Sequence, residues 1–194
     1  MNLTSNKKWV LGLTGSILSG KSTALAFFKS QGIFTLSADE LVAQLYQTPL
    51  VQKKVKALFG TLDKSEIAAQ IFNNDFKRKQ LEQVLHPLVL NRARQLILQA
   101  KEPLVVFEVP LLFESGWDKK VDLTLLIKAD PKSLTSRLKQ RAMSRKTYLA
   151  RLKTQWPESE KEVKSDIILF HKNKTDLKQK INHLCKAFEL LKLN

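Results

Sequence analysis

Gly15-Ser16-Ile17-Leu18-Ser19-Gly20-Lys21-Ser22 is the stretch that sets the fold of this chain. It has the spacing G-x-x-x-x-G-K-[ST], in which backbone N–H groups of a glycine-containing loop converge on a polyphosphate. In such a loop Lys21 reaches the β- and γ-phosphates and the Ser22 hydroxyl sits on Mg²⁺. A helix opening near Gly20 adds its positive end. Upstream, the apolar run of residues 9–14 suits a buried parallel strand. Downstream, residues 23–31 suit a helix, which Gly32 terminates in the left-handed conformation. Strand, loop, helix and stop arrive in order; the alternative is a glycine-containing βα turn that binds nothing.

Further apolar runs at 33–36, 104–109, 123–127 and 167–170 read as four more strands. Each is continuously apolar and helical segments separate them, which predicts an α/β fold. The expected architecture is that of a P-loop NTPase, a five-stranded parallel sheet covered by helices on both faces. A helix is expected from about Leu41, and residues 50–101 read as wholly helical. Within them Asp63-x-x-Glu66 is a capping-box pattern, and His86-Pro87 marks a kink or break. Asp130-Pro131 opens a helix as N-cap and N1. Ser144 and Ser159-x-x-Glu162 start two more, and the last helix follows Thr175. The organisation is one domain over 1–194. Its core comprises 8–44, 102–136 and 161–194, with a helical substrate-binding subdomain at about 45–101 and a helical lid at about 137–160.

The chain has 194 residues, 33 basic and 18 acidic, for a net charge of +15. Residues 131–194 hold 16 of the basic residues but 6 of the acidic ones. That asymmetry invites a nucleic-acid partner. In the last helix, however, Lys178, Lys180, Lys186 and Lys192 line the face opposite an apolar stripe of Leu177, Ile181, Leu184, Cys185, Phe188 and Leu191. The charge then reads as a solvated face that attracts anionic substrates, and nucleic acid is not expected. No apolar stretch is long enough to cross a bilayer. Residues 1–8 lack a signal-peptide core. The single Cys185 excludes an internal disulfide and suits core packing. A soluble cytoplasmic protein is expected.

Ligands in open α/β sheets bind at the carboxyl ends of the strands. Asp39 follows the second strand, where it either accepts a proton from an acceptor hydroxyl or caps the helix at Leu41. Glu108 ends the third strand, where an acid near Mg²⁺ is expected, since a carboxylate in so apolar a run is costly to bury without a partner. Glu114 reads as a second, weaker candidate or as plain surface. Arg137 and Arg141 share a helix face at i and i+4, followed by Arg145 and Arg151. Guanidinium groups on a lid suit a transferring phosphoryl, and the alternative is a solvated basic helix. His86 reads as a core or cap residue, and no Cys/His cluster of zinc type is present.

Several segments together resemble the dephospho-CoA kinases. They are residues 13–23, Ser37-Ala38-Asp39-Glu40, Leu85-His86-Pro87-Leu88 and Glu108-Val109-Pro110-Leu111-Leu112-Phe113-Glu114. Arg137-Leu138-x-x-Arg141, Ser144, Arg151-x-x-x-Gln155, Lys161 and Ser165-Asp166-Ile167-Ile168 continue the likeness. It runs from about residue 10 to 190. The loop is generic, whereas the His-Pro and Pro-Leu-Leu-Phe-Glu segments together are specific. The resemblance implies ATP-dependent, Mg²⁺-assisted phosphorylation of the ribose 3′-hydroxyl of dephospho-CoA. It implies Asp39 as general base and Lys21, Ser22 and Thr23 at the phosphates and metal. Gly15, Leu18, Ser19 and Gly20 complete the ATP loop, and Arg141 joins it from the lid. Asp39, His86 and Glu108 face the acceptor, with Glu108 or Asp39 assisting Ser22 at Mg²⁺.

Five departures stand out. Ser16 and Leu18 replace two loop glycines, and leucine tolerates a positive φ poorly. Ser37 replaces an Asp. His171 and Asn173 replace Asn and Gly near the nucleotide base. Two other readings therefore remain, another small-molecule or nucleotide kinase on the same core and a non-catalytic P-loop-derived module binding nucleic acid or protein.

Overall fold

The apolar run Trp-Val-Leu-Gly-Leu-Thr suits a strand covered on both faces, and the computed structural model places it in the middle of the sheet. The structure describes Leu3 and residues 8–72 and 74–191. β1 (Trp9–Thr14) lies between β3 (Leu104–Glu108) and β4 (Leu123–Ala129). β2 (Phe34–Ser37) and β5 (Ile167–His171) close the two edges, giving the order β2-β3-β1-β4-β5. All four pairings are parallel, as the continuous apolar runs predict.

The chain divides into two compact units. The first comprises 1–37 and 100–194 and contains the whole sheet. Its helices are α1 (Lys21–Ser30), α6 (Leu134–Gln140), α7 (Arg145–Leu152), α8 (Glu158–Lys164) and α9 (Lys174–Leu191). Leu11 and Leu13 of β1, Val106 of β3 and Leu125 and Ile127 of β4 pack with Ala24 and Phe28 of α1 and Leu177, Ile181 and Cys185 of α9. Cys185 is a core residue as expected, and burial raises its thiol to about 11. The stripe of α9 is shorter than expected, since Leu191 is exposed. Lys178, Lys180 and Lys186 are exposed, and Lys192 lies outside the described residues.

The second unit, 38–99, is helical: α2 (Ala38–Leu45), α3 (Pro49–Phe59), α4 (Lys64–Phe72) and α5 (Asp75–Gln99). Val51, Val55, Phe59, Ile67, Leu81 and Leu85 form its core. Gly60, left-handed at φ 75°, ends α3. Asp63 caps α4 through its Oδ1, which accepts from the Ser65 and Glu66 N–H groups. The reciprocal arm of the expected capping box differs, because the Asp63 N–H donates to Thr61 Oγ1 instead. α5 runs unbroken through Pro87, against the expected break. Proline removes one helical hydrogen bond, and the buried residues Leu81, Leu85, Val89, Leu90, Ala93 and Ile97 on either side hold the helix.

Among the described residues no helix is long and apolar enough to cross a membrane. Local punctuation elsewhere follows the sequence. Gly32 is left-handed at φ 77° after α1. Asp130 accepts from the Lys132 N–H ahead of a 3-10 turn, Pro131–Ser133, that leads into α6. The Ser144 hydroxyl accepts from the Thr147 N–H at the start of α7. α8 begins at Glu158 after Pro157, earlier than a Ser159 cap implies.

Candidate functional site

The loop between β1 and α1 leaves the central strand at its carboxyl end. Gly15 follows β1 directly, and a Cβ there would stand 2.5 Å from the Ile127 carbonyl oxygen of β4 and 2.5 Å from Ser19 Oγ. One of those neighbours is backbone, so it cannot swing aside. Gly15→Ala is expected to lower stability by about 1–3 kcal/mol, read as a lower urea midpoint at unchanged m. Gly20 precedes α1 at φ 98°, and a Cβ there would meet His171 Nε2 at 3.0 Å. The first turn of α1 carries no acidic residue and no side-chain cap. Its N–H groups therefore suit an anion.

Within the loop Lys21 donates to the Gly15 and Ser16 carbonyls at 2.8 and 3.1 Å. Ser22, the candidate metal ligand, is exposed, and Thr23 is half-buried. The Ser16 hydroxyl donates to Glu158 Oε1 at 3.2 Å, and the Ile17 N–H to Gln155 Oε1 at 3.0 Å. The Leu18 carbonyl accepts from Arg137 Nη1 at 2.6 Å. The Ser19 carbonyl lies 2.8 Å from His171 Nε2. Leu18 has φ 62°, so the left-handed turn that a glycine would make is here made by leucine. Ser19 Oγ is buried and has no hydrogen-bond partner among the described residues.

The carboxylates separate into three environments. Glu108, 5% exposed, accepts from the Ser37 hydroxyl at 2.9 Å. β2–β3 register puts the two residues side by side, so the serine in place of an Asp donates to this acid rather than repelling it. Asp39 lies in the second unit and is exposed. α2 starts at Ala38, three residues before the expected Leu41, so Asp39 sits inside the first turn instead of capping from in front. Glu114 is not plain surface. Its Oε1 stands 2.9 Å from Lys161 Nζ, a side chain with 0% exposure, and also accepts from the Trp156 N–H at 2.8 Å. The Phe113 and Trp156 rings stack beside them, 6.5 Å apart.

Arg137 and Arg141 are one turn apart, the Arg141 N–H donating to the Arg137 carbonyl at 3.1 Å, but Arg141 stands at the very end of the helix. α6 ends at Gln140, Arg141 is its C-cap, and Ala142 turns left-handed at φ 47°. Arg137 is half-buried, and desolvation holds its guanidinium below the ordinary value. Arg141, Arg145 and Arg151 are exposed. His86 is half-buried in α5, and burial lowers its basicity against the opposing charge of Glu82. Lys128 is paired with Glu158 at 3.6 Å and hydrogen-bonded to Glu162, which raises its basicity.

The structure thus gathers Gly15, Leu18, Ser19 and Gly20 in the loop and Lys21, Ser22 and Thr23 in the first turn of α1 that follows it. It puts Glu108 at the end of the neighbouring strand β3, while Asp39 and His86 belong to the helical unit. Sequence reasoning missed the loop contacts of Gln155, Glu158 and His171 and the burial of Lys161. Gln155 and Lys161 were legible as motif positions, but no spacing links them to the loop. The loop suits a polyphosphate, with helix N–H groups and an ammonium. Among the described residues no cluster of three or more His, Cys, Asp or Glu forms a metal cage. The Ser22 hydroxyl and the Glu108 carboxylate are oxygen donors of the kind Mg²⁺ takes, one or two from protein and the rest from phosphate and water.

Comparison with known proteins bears on the same segments. The family model described as "Dephospho-CoA kinase" matches residues 9–179. A dephospho-CoA kinase of Thermus thermophilus is 35% identical over 167 residues, covering 82% of this chain and 81% of the relative. The solved structure of TT1252 from Thermus thermophilus superposes with a TM-score of 0.86 at 32% identity, covering 94% of this chain and 98% of that one. A dephospho-CoA kinase structure from Campylobacter jejuni gives a TM-score of 0.66 at 26% identity, covering 92% and 96%. With that breadth of match on this loop and sheet, the chain belongs to the dephospho-CoA kinase family.

Proposed function

We propose that this protein transfers the γ-phosphoryl group of ATP to the ribose 3′-hydroxyl of dephospho-CoA, giving CoA and ADP in the last step of CoA synthesis. The observation that carries the proposal is the loop ahead of α1, with Lys21 folded back onto it from an acid-free first helical turn, in a chain of this family. Asp39 takes the proton from the 3′-hydroxyl, whose oxygen then attacks the γ-phosphorus in line as the bond to the β–γ bridging oxygen breaks. Lys21 moves from the Gly15 and Ser16 carbonyls to the phosphate oxygens. The N–H groups of Gly20, Lys21, Ser22 and Thr23 hold the β-phosphate. Arg141, exposed at the end of α6, covers the transferring group from the lid at 137–160. Ser22, with Glu108 or Asp39, would hold Mg²⁺, which would supply charge neutralisation at the phosphates. The helical unit, with His86, holds the CoA portion of the acceptor. A cytoplasmic location belongs to the same proposal.

The test is a coupled assay of the purified protein with ATP, Mg²⁺ and dephospho-CoA. Stoichiometric ADP and CoA are expected, and no ADP with the 3′-deoxyribose analogue of the acceptor. Turnover of another hydroxyl compound with none of dephospho-CoA would overturn the assignment.

A further inference from the structure

Residues 16–19 of the loop are each gripped from outside it, and all four gripping side chains come from residues 137–171. Glu158 takes the Ser16 hydroxyl, Gln155 the Ile17 N–H, Arg137 the Leu18 carbonyl and His171 the Ser19 carbonyl. Arg137 is unusual among the lid arginines. Its three hydrogen bonds go to neutral carbonyls, those of Leu18, Asp130 and Ser133 at 2.6, 2.9 and 3.3 Å.

A trans peptide points its C=O and the following N–H in opposite directions. Fixing the Leu18 carbonyl therefore fixes the Ser19 N–H, which donates to the Ser16 carbonyl at 3.0 Å. The same logic applies one residue on. His171 holds the Ser19 carbonyl on its own side, so the Gly20 N–H is turned away from it, and Gly20 is the residue before α1. These two grips act where the backbone is least at ease, because Leu18 is left-handed at φ 62° and L side chains disfavour that conformation.

We propose that Arg137 and His171 are positioning residues for nucleotide phosphate binding, holding the Leu18 and Ser19 carbonyls so that a loop with leucine in a glycine conformation keeps its Ser16–Ser19 turn closed and its Gly20 N–H aimed. The inference rests on the kinase reading only in taking the loop's ligand to be ATP. Its central consequence is that the need for Arg137 depends on the residue at 18. Glycine adopts positive φ without a side-chain penalty, so a glycine loop needs less bracing.

The test is a double-mutant cycle on the Kd for ATP, measured by equilibrium titration with ATP and Mg²⁺ and no acceptor, with the thermal midpoint recorded for each variant. Arg137→Met keeps the apolar stem and removes the donors. It is expected to weaken ATP binding about tenfold or more in the native loop, and less than about threefold in the Leu18→Gly background. His171→Gln, which keeps a side-chain N–H near the Nε2 position, is expected to stay within about threefold of the parent, and His171→Phe to lose about tenfold. An Arg137→Met penalty of equal size in both backgrounds overturns the proposal, because the guanidinium would then act on the nucleotide directly. Equal losses in His171→Gln and His171→Phe overturn the histidine part. A lowered thermal midpoint with unchanged ATP affinity reduces both residues to fold support and overturns it as well. Failure of the parent to phosphorylate dephospho-CoA overturns the functional proposal and leaves this cycle readable.

Discussion

Asp39→Asn is expected to lower kcat for dephospho-CoA phosphorylation by about 10²–10⁴-fold while the Kd for ATP stays within a few-fold of the parent. Asparagine has the shape of aspartate and accepts a hydrogen bond, but it cannot carry away the 3′-hydroxyl proton. The side chain is exposed in the first turn of α2, so its replacement opens no cavity. As a carboxylate near a helix N-terminus Asp39 also contributes about 0.3–1 kcal/mol of stability. The two roles are separable on one variant, by turnover under saturating substrates and by urea unfolding. A small stability loss with undiminished kcat would leave Asp39 as a helix-terminal residue and nothing more.

The second large effect concerns the buried pair of Lys161 and Glu114. Lys161→Met is expected to destabilise the first unit by about 3–5 kcal/mol, because it leaves the mostly buried Glu114 carboxylate without its countercharge. In a domain of this size that shifts the thermal midpoint by on the order of 10 °C. Lys161→Met combined with Glu114→Gln should recover most of the loss, since a neutral amide still accepts from the Trp156 N–H. Replacing a buried pair as a whole is commonly neutral. If the double variant is no more stable than Lys161→Met alone, the pair is not the source of the effect. Glu114 also orients Trp156, the neighbour of Gln155, which bonds to the Ile17 N–H. The thermal shift should therefore be accompanied by weaker ATP binding.

What the sequence made legible is what local chemistry determines. Gly20-Lys21-Ser22 at a helix start, Gly32 at its end, Asp130 and Ser144 as caps and the five apolar runs are all read within a few residues of themselves. The parallel sheet follows from the same runs. What failed depends on partners far along the chain. No spacing rule puts Gln155 against Ile17 or His171 against Ser19, because these partners lie 138 and 152 positions apart in the chain and meet only in the tertiary fold. Ser37 reads as a lost acid until β2–β3 register sets it beside Glu108. Glu114 looks like surface because its partner, Lys161, is a residue type rarely buried. Pro87 illustrates the opposite error. A strong local breaker is overridden by the buried face of α5 on both sides of it.

The outer strand of the sheet has a consequence for how copies of this protein treat one another. β5 is an edge, and Ile168 and Phe170 on it are exposed. Such an edge is a template for unwanted strand pairing. Lys180, reaching across from α9, donates to the Phe170 carbonyl at 2.7 Å and stands 6.0 Å from the Phe170 ring centroid. Held also by Asp176 at 3.1 Å, it removes one open acceptor from the edge and sets an ion pair beside an adhesive side chain. A second copy approaching edge to edge meets the same ammonium and the same net charge of +15. The surplus of lysine that first suggests a polyanionic partner thus acts here as a colloidal repellent, guarding a strand apt to recruit its own kind.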